Sequence, residues 1–286
     1  MPENNIIEVN TWEEFEKRLK DLQEMHRQAE SSAWSPVSRF LFRGQENSCW
    51  PLTTTLERRG REGMLVADYC HLISDVKPEI ETFTGLKWDD LPAYPEIKKS
   101  LREEYDSFGR LLPYDYMVHL RHHGFPSPLL DWTKSPYIAA FFALRQAPPP
   151  RKADCPEKRV SIYVYWGTPT GSKTRSNSPE IYSCTPRVQT PRHDLQQCEY
   201  TICAAFDNNS DQDIYEWRFG RHEEVFARGK SDQDVLLKYN IPATERLKVL
   251  KLLDDRNINA FSLFESEESL METVALRELD LREGDS

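Results

Sequence analysis

Residues 120–144 read LRHHGFPSPLLDWTKSPYIAAFFAL, and no other stretch restricts the fold of this chain as much. Gly124 is a natural C′ residue, so the preceding segment predicts a helix over 114–123. Ser135-Pro136 forms an N-cap/N1 pair, which predicts a second helix over about 136–146, closed by Pro148, Pro149 and Pro150. The Ala/Phe-rich run of that second helix is core material. Asp131-Trp132-Thr133 sits at its mouth, where Thr133 and Ser135 offer hydroxyls and Asp131 offers a charge acceptor. These residues could instead cap and start the helix. Trp132 could equally be core, with its indole N–H needing one partner.

The rest of the chain mixes strands and helices without a regular alternation. Ile6, Ile7 and Val9 predict a short strand. Thr11 and Glu14 read as a capping box, and Trp12, Phe15, Leu19 and Leu22 follow at helical spacing, so 11–27 should be an amphipathic helix. Residues 31–38 read as a loop. Arg39-Phe40-Leu41-Phe42 reads as a strand ending at Arg43-Gly44. Ile97, Leu101, Tyr105, Phe108 and Leu112 mark a helix face over 96–112. VSIYVYW at 160–166 is the clearest strand, and 198–206 reads as another. Residues 167–192 are dense in Ser, Thr, Pro and Gly and read as a long loop. Helices are predicted at 243–255 and 266–281, the latter opening with Ser266 and Glu267. There is no internal repeat. The class is therefore α+β, in one domain over 1–286: the helix 11–27, then a core over 36–286 that ends in a helical section, 243–281.

Composition excludes several alternatives. Among 286 residues, 38% are hydrophobic and 11% aromatic, enough for a core and unlike a disordered chain. No run of 18 apolar residues exists, so no membrane partner is expected. MPENNIIEV lacks the basic and apolar regions of a signal peptide, which points to the cytoplasm. The net charge of −10 denies the chain a general basic footprint for nucleic acid but allows a local basic cleft. Six cysteines, at 49, 70, 155, 184, 198 and 203, form no C-x-x-C pair, and reduced thiols are expected. His119 and His123 share a helix face, but no Glu stands between them and no third ligand is evident, so no metal is expected. His122 and His123 are read as ligand or backbone hydrogen-bonding groups.

Three segments resemble the FRG domain, a family named for its Phe-Arg-Gly motif. The first is Leu41-Phe42-Arg43-Gly44-Gln45, with Trp50-Pro51-Leu52 and Leu56-Glu57-Arg58. The second is 120–144. The third is Arg192-His193-Asp194-Leu195-Gln196-Gln197-Cys198-Glu199-Tyr200-Thr201, where Cys198 stands in place of the usual Gly. Ile241-Pro242, Asn257-Ile258 and Leu263-Phe264 extend the resemblance to roughly 8–280. The three-part layout is similar to ADP-ribosyltransferases. Those folds place an Arg or His on a first strand, a Ser/Thr-bearing strand before a helix, and a late Gln-x-Glu carboxylate. Here these places fall on Arg43, Thr133/Ser135 and Gln197-Cys198-Glu199.

That similarity implies an ADP-ribosyltransferase-like fold with a split sheet and NAD as substrate. ADP-ribose would pass to a macromolecular acceptor (RNA, DNA or protein), in a bacterial toxin or phage-defence effector with an antitoxin or inhibitor protein as partner. Arg43 would clamp the pyrophosphate, although it could instead be a structural Arg paired with Asp131. Gly44 would let the backbone approach the ligand, with Gln45 beside it and His122, His123, Asp131, Trp132, Thr133 and Ser135 across the site. Tyr163 or Phe142 would stack on the nicotinamide ring. Glu199 would stabilise an oxocarbenium-like state and Gln197 would orient the acceptor. Strand alternation puts Gln197 and Glu199 on one face and Cys198 and Tyr200 on the other. Gln196 is the alternative functional position. Glu223-Glu224 is a second carboxylate pair, better explained as a solvated charge run. The competing function is a nucleotide-ligand sensor, which needs Arg43 and 122–135 but not Glu199. A nuclease would want clustered carboxylates for Mg²⁺, and no convincing set is present.

Overall fold

The computed structural model describes residues 5–33, 35–103, 112–146, 158–171, 173, 179–184, 191–209 and 214–282. The first elements are β1 (Ile6–Glu8), α1 (Trp12–Ser32), β2 (Leu41–Gln45), α2 (Val66–Thr84), α3 (Tyr94–Glu103), α4 (Tyr114–His122) and β3 (Leu129–Thr133). They are followed by α5 (Pro136–Leu144), β4 (Arg159–Trp166), β5 (Glu180–Cys184), α6 (Pro191–Leu195), β6 (Cys198–Asn209) and β7 (Ile214–Phe219). The chain closes with α7 (His222–Ala227), β8 (Val235–Pro242), α8 (Arg246–Asp255), α9 (Ala260–Phe264) and α10 (Glu267–Ala275).

The fold is α+β, built on one mixed sheet in the order β1-β8-β4-β2-β3-β6-β5, with β7 also pairing with β6. The β1–β8 pair is parallel and the other registered pairs are antiparallel. The centre of the sheet is split. β2 pairs with β4 over five residues, but with β3 only at Phe42–Thr133. Beyond that pair the two strands diverge, and their unpaired backbone groups need other partners.

Two layers cover opposite parts of the sheet. α1, α5 and α8 pack on one face around Trp12, Phe15, Phe42, Ile162 and Leu250. α2 and α4 pack around Tyr69, Met117, Tyr200 and Trp217. A third cluster, with Leu41, Trp132, Tyr163, Tyr165 and Phe226, lies on the reverse face of the central strands. Gly44 fixes the first layer in place. A Cβ built there would stand 1.9 Å from the Ala139 carbonyl oxygen and 2.6 Å from the Ala143 nitrogen. Gly44 is thus required by the close approach of α5 to β2.

The helix starts follow the sequence closely. Thr11 caps α1 by accepting from the Glu14 N–H, and Ser135 caps α5 by accepting from Ile138. The Glu14 carboxylate, however, accepts from Asn10 N–H rather than from the cap residue, and α1 runs on to Ser32. Gly124, at φ 86°, ends the turn after α4 as expected. Three departures stand out. The segment 167–192, read as a loop, contains β5 and the start of α6. The helix α2, with Pro78 inside it, and the strands β7 and β8 were not predicted. The helix expected over 96–112 is described as Tyr94–Glu103; Tyr105 and Phe108 lie outside the described residues, as do Pro148, Pro149 and Pro150. Among the described residues no helix is long and apolar enough to cross a membrane.

Candidate functional site

The divergence of β2 from β3 opens a cleft of about 610 Å³. Four arginines from four parts of the chain face it: Arg43 on β2, Arg58 in the turn after it, Arg121 on α4 and Arg192 on α6. Two carboxylates line the same cleft, Asp131 and Glu46. A chain of net charge −10 therefore gathers an excess of positive charge at one concave place.

Asp131 organises two of the arginines. Its Oδ1 lies 3.0 Å from Arg43 Nη1 and 2.6 Å from Arg121 Nη2. Arg43 Nη1 also donates to the Asp131 carbonyl, at 2.6 Å. That bond answers a backbone group left over where β3 parts from β2. Arg43 leaves β2 on the same face as Leu41 and Gln45, so it reaches Asp131 only because the sheet is open there. Burial opposes ionisation of Asp131, but Arg43 and Arg121 outweigh it and hold the carboxyl far below its usual range. The carboxylate is still 42% exposed toward the cleft.

The Arg58 guanidinium has no hydrogen bond or ion pair among the described residues. Burial, followed by repulsion from Arg43 and Arg121, lowers its pKa. The guanidinium of Arg192 lies over the Phe264 ring, with its carbon 4.6 Å from the ring centroid. Burial and the nearby Arg145 lower the Arg192 pKa. The Nε–H groups of Arg43, Arg121 and Arg192 are enclosed with no acceptor among the described residues. The protein therefore leaves part of the cost of burying these cations uncompensated.

The floor of the cleft comes from β3 and β6, where Asp131 pairs with Tyr200 and Thr133 with Cys198. The Tyr200 hydroxyl lies 2.6 Å from His122 Nε2. Burial, with Arg192 nearby, pushes His122 down to about 4, while burial pushes Tyr200 far up. At neutral pH the contact therefore joins a protonated phenol to an uncharged imidazole. Burial also raises the Cys198 thiol to about 12, which keeps it protonated and poorly nucleophilic. Gln196 lines the cleft and donates to the Leu263 carbonyl at 2.9 Å.

The structure brings Arg43, Gly44, Gln45, His122, Asp131 and Thr133 together around the cleft. Thr133 is occupied there: its hydroxyl donates to the Gln196 carbonyl at 2.8 Å and accepts from Ser135 N–H. Gln45 donates to the Trp50 carbonyl at 2.8 Å. Trp132 borders the cleft, but its indole is buried in the reverse-face core and donates to Thr201 Oγ1 at 2.8 Å. Ser135 serves as the cap of α5 and His123 is exposed; neither lines the cleft. His119 lies 4.4 Å from His123 and 4.5 Å from Trp88, ring to ring, and no group of three metal-ligating side chains occurs among the described residues.

The third motif is placed differently from its expected role. The alternation along β6 holds, but Cys198 and Tyr200 take the cleft face. Glu199 pairs with Trp132 in register on the reverse face and bonds Lys134 Nζ at 2.8 Å. Gln197 sits in the turn before β6 with φ 49° and is exposed. Phe142 borders the cleft, whereas Tyr163 is buried in the reverse-face core. Glu223 does not line the cleft; its carboxylate accepts from Leu52 N–H at 2.8 Å and so braces the chain that leads to Arg58. Arg121, Arg192 and Arg58 carried no role in the sequence reading. All three stand inside the resembling segments, and the recurrence of an arginine in each of those segments of an acidic chain was the available signal.

No curated protein and no solved structure matches the chain. Residues 38–152 match the FRG domain family. The match spans the first two resembling segments, including Arg43, Arg58, Arg121 and Asp131 on the cleft, and the chain carries an FRG domain.

Proposed function

We propose that the cleft between β2 and β3 binds a nucleotide through its phosphates. The observation that carries this reading is the convergence of Arg43, Arg58 and Arg121 on one cleft, where the partly exposed Asp131 carboxylate pairs with Arg43 and Arg121. Guanidinium forks match phosphate oxygens in geometry and charge. The volume suits a ligand larger than a lone phosphate: ligand pockets run from about 300 Å³ upward.

NAD is the nucleotide that the ADP-ribosyltransferase similarity implies, and transfer of ADP-ribose is the corresponding activity. Glu199 gives that activity little support, because it stands on the reverse face with Lys134 as its partner. The ligand-sensor reading uses the same arginines and needs no contribution from Glu199.

Titration calorimetry with pyrophosphate, ADP and NAD tests the binding, using Arg58→Met because Arg58 holds no structural partner. Loss of one charge-assisted contact should weaken pyrophosphate binding by about tenfold or more. Unchanged affinity in Arg58→Met, or no binding of any of the three ligands to the wild type, would rule the reading out. Nicotinamide release from NAD, assayed with RNA, DNA and protein acceptors, then separates transferase from sensor.

A further inference from the structure

Glu46 is the cleft carboxylate that the arginines leave alone. It follows directly on β2, lines the cleft and is half-buried. Among the described residues it makes no hydrogen bond and no ion pair. Arg43 and Arg121 are taken by Asp131, and Arg145, the cation that Glu46 feels, is taken by the carboxylate of Glu272. A carboxylate left unpartnered beside an excess of arginine, partly out of water, costs free energy in the absence of a ligand. Burial accordingly raises its pKa, and Arg145 offsets the rise only in part.

The charges divide the cleft into two ends. At one end Asp131 draws Arg43 and Arg121 together. Gly44, two residues before Glu46, lies against Ala139 and Ala143 of α5, the helix that carries Phe142 and leads into Arg145. Arg145 and Arg192 both lie over the Phe264 ring, which meets Phe142 edge to face at 5.9 Å, so the α5 side of the cleft is the second end, with Glu46, Arg192, Phe142 and Phe264 in its lining. A ligand spanning both ends must carry anionic oxygens at one and hydrogen-bond donors at the other. An ionised carboxylate only accepts, and a vicinal diol supplies two O–H donors at the spacing of its two oxygens.

We propose that Glu46 reads the ribose of the bound nucleotide by accepting from its 2′- and 3′-hydroxyls, so that the site selects ribonucleotides over deoxyribonucleotides. The inference rests on the nucleotide reading above and specifies the sugar. Acidic side chains play this part toward ribose in dinucleotide-binding folds of other topology.

The test compares pyrophosphate, ADP and 2′-deoxy-ADP on the wild-type chain and on Glu46→Gln, by titration calorimetry. Glu46→Gln removes no protein contact, so its unfolding temperature without ligand should match the wild type. Wild type should bind ADP about tenfold or more tighter than 2′-deoxy-ADP, the worth of one hydrogen bond to a charged acceptor. Glu46→Gln should bring the two affinities within about twofold while pyrophosphate binds at least as tightly as before. A wild type indifferent to the 2′-hydroxyl, or a preference that survives in Glu46→Gln, overturns the proposal and leaves phosphate binding intact. A change in ADP-against-GDP preference with no change in the ribose preference also overturns it, and assigns Glu46 to the base. Failure of pyrophosphate to bind the wild type overturns the nucleotide reading and this proposal together.

Discussion

Asp131→Asn separates the two roles that Asp131 has in the cleft. The carboxylate holds Arg43 and Arg121 in place and also occupies the position where a ligand anion would be attracted. Its contacts at 3.0 and 2.6 Å would each be worth about 6 kcal/mol at an effective dielectric constant near 20. The carboxylate is 42% exposed, so solvent screening reduces that figure substantially. Breaking well-buried pairs costs about 3–5 kcal/mol and exposed ones less than about 1, so about 2 kcal/mol is expected here. The asparagine keeps the shape and one acceptor oxygen, and Arg43 keeps its bond to the residue 131 carbonyl. The arginines should therefore stay near their present positions with one more unit of uncompensated charge.

The consequence is a pair of effects with opposite signs. In buffer without multivalent anions Asp131→Asn should unfold at a lower temperature, by the equivalent of about 2 kcal/mol. Pyrophosphate should bind it about tenfold tighter than wild type, which is about 1.4 kcal/mol. Pyrophosphate at 100 times its dissociation constant adds about 2.7 kcal/mol of stability, so the deficit should shrink as ligand is added. Calorimetric unfolding and titration at fixed, low ionic strength measure both effects. Weaker pyrophosphate binding, or a stability deficit that pyrophosphate does not touch, would refute the reasoning. Asp131 would then be a positioning group for the arginines and not a stand-in for a ligand anion.

Three further perturbations test the frame around the cleft. Gly44→Ala forces a methyl against the α5 backbone and should cost about 3 kcal/mol or more, read as a large fall in unfolding temperature or a failure to fold. Thr201→Val removes the acceptor of the Trp132 indole and the partner 3.0 Å from His222 Nε2, and should cost about 2 kcal/mol with little change in pyrophosphate affinity. His222 is fully buried and pushed down to about 3 by that burial, whereas in the unfolded chain it takes up a proton near 6.5. The unfolded state thus binds the extra proton between these values, so stability should fall as pH drops from about 6.5 toward 3, by up to about 1.4 kcal/mol per pH unit. His222→Gln should flatten that acid limb in a denaturant titration at several pH values; an unchanged slope would show that His222 is not its source.

Local rules made part of this fold legible in the sequence. The caps at Thr11 and Ser135, the stop at Gly124 and the alternation of 160–166 act within a few residues, and each produced the element expected of it. β5, β7 and β8 are strands that these local signals did not mark, because they depend on β6 and β4 as partners. The length of α2 was likewise set by its packing against β7 and α3, and Pro78 sits inside it despite its usual cost.

The cleft shows the same limit at the level of single side chains. Alternation correctly separated Cys198 and Tyr200 from Glu199, but alternation does not say which set meets the site. That is decided by where β2 leaves β3, a property of two strands 88 residues apart at the contact between Arg43 and Asp131. Once the strands part after Phe42–Thr133, Arg43 can cross the gap from the reverse face, and the cleft takes its floor from the Asp131–Tyr200 side of the sheet. The carboxylate available to a ligand then changes from the late Glu199 to Glu46, the residue that follows β2 itself. The resembling segments therefore supply Arg43 and Asp131 to the cleft, whereas the arrival of Glu46 beside them, with Glu199 on the other face, follows from the split in the sheet. A fold with the same motifs and a fully paired β2–β3 would close this cleft and leave Arg43 stranded on the opposite face from Asp131.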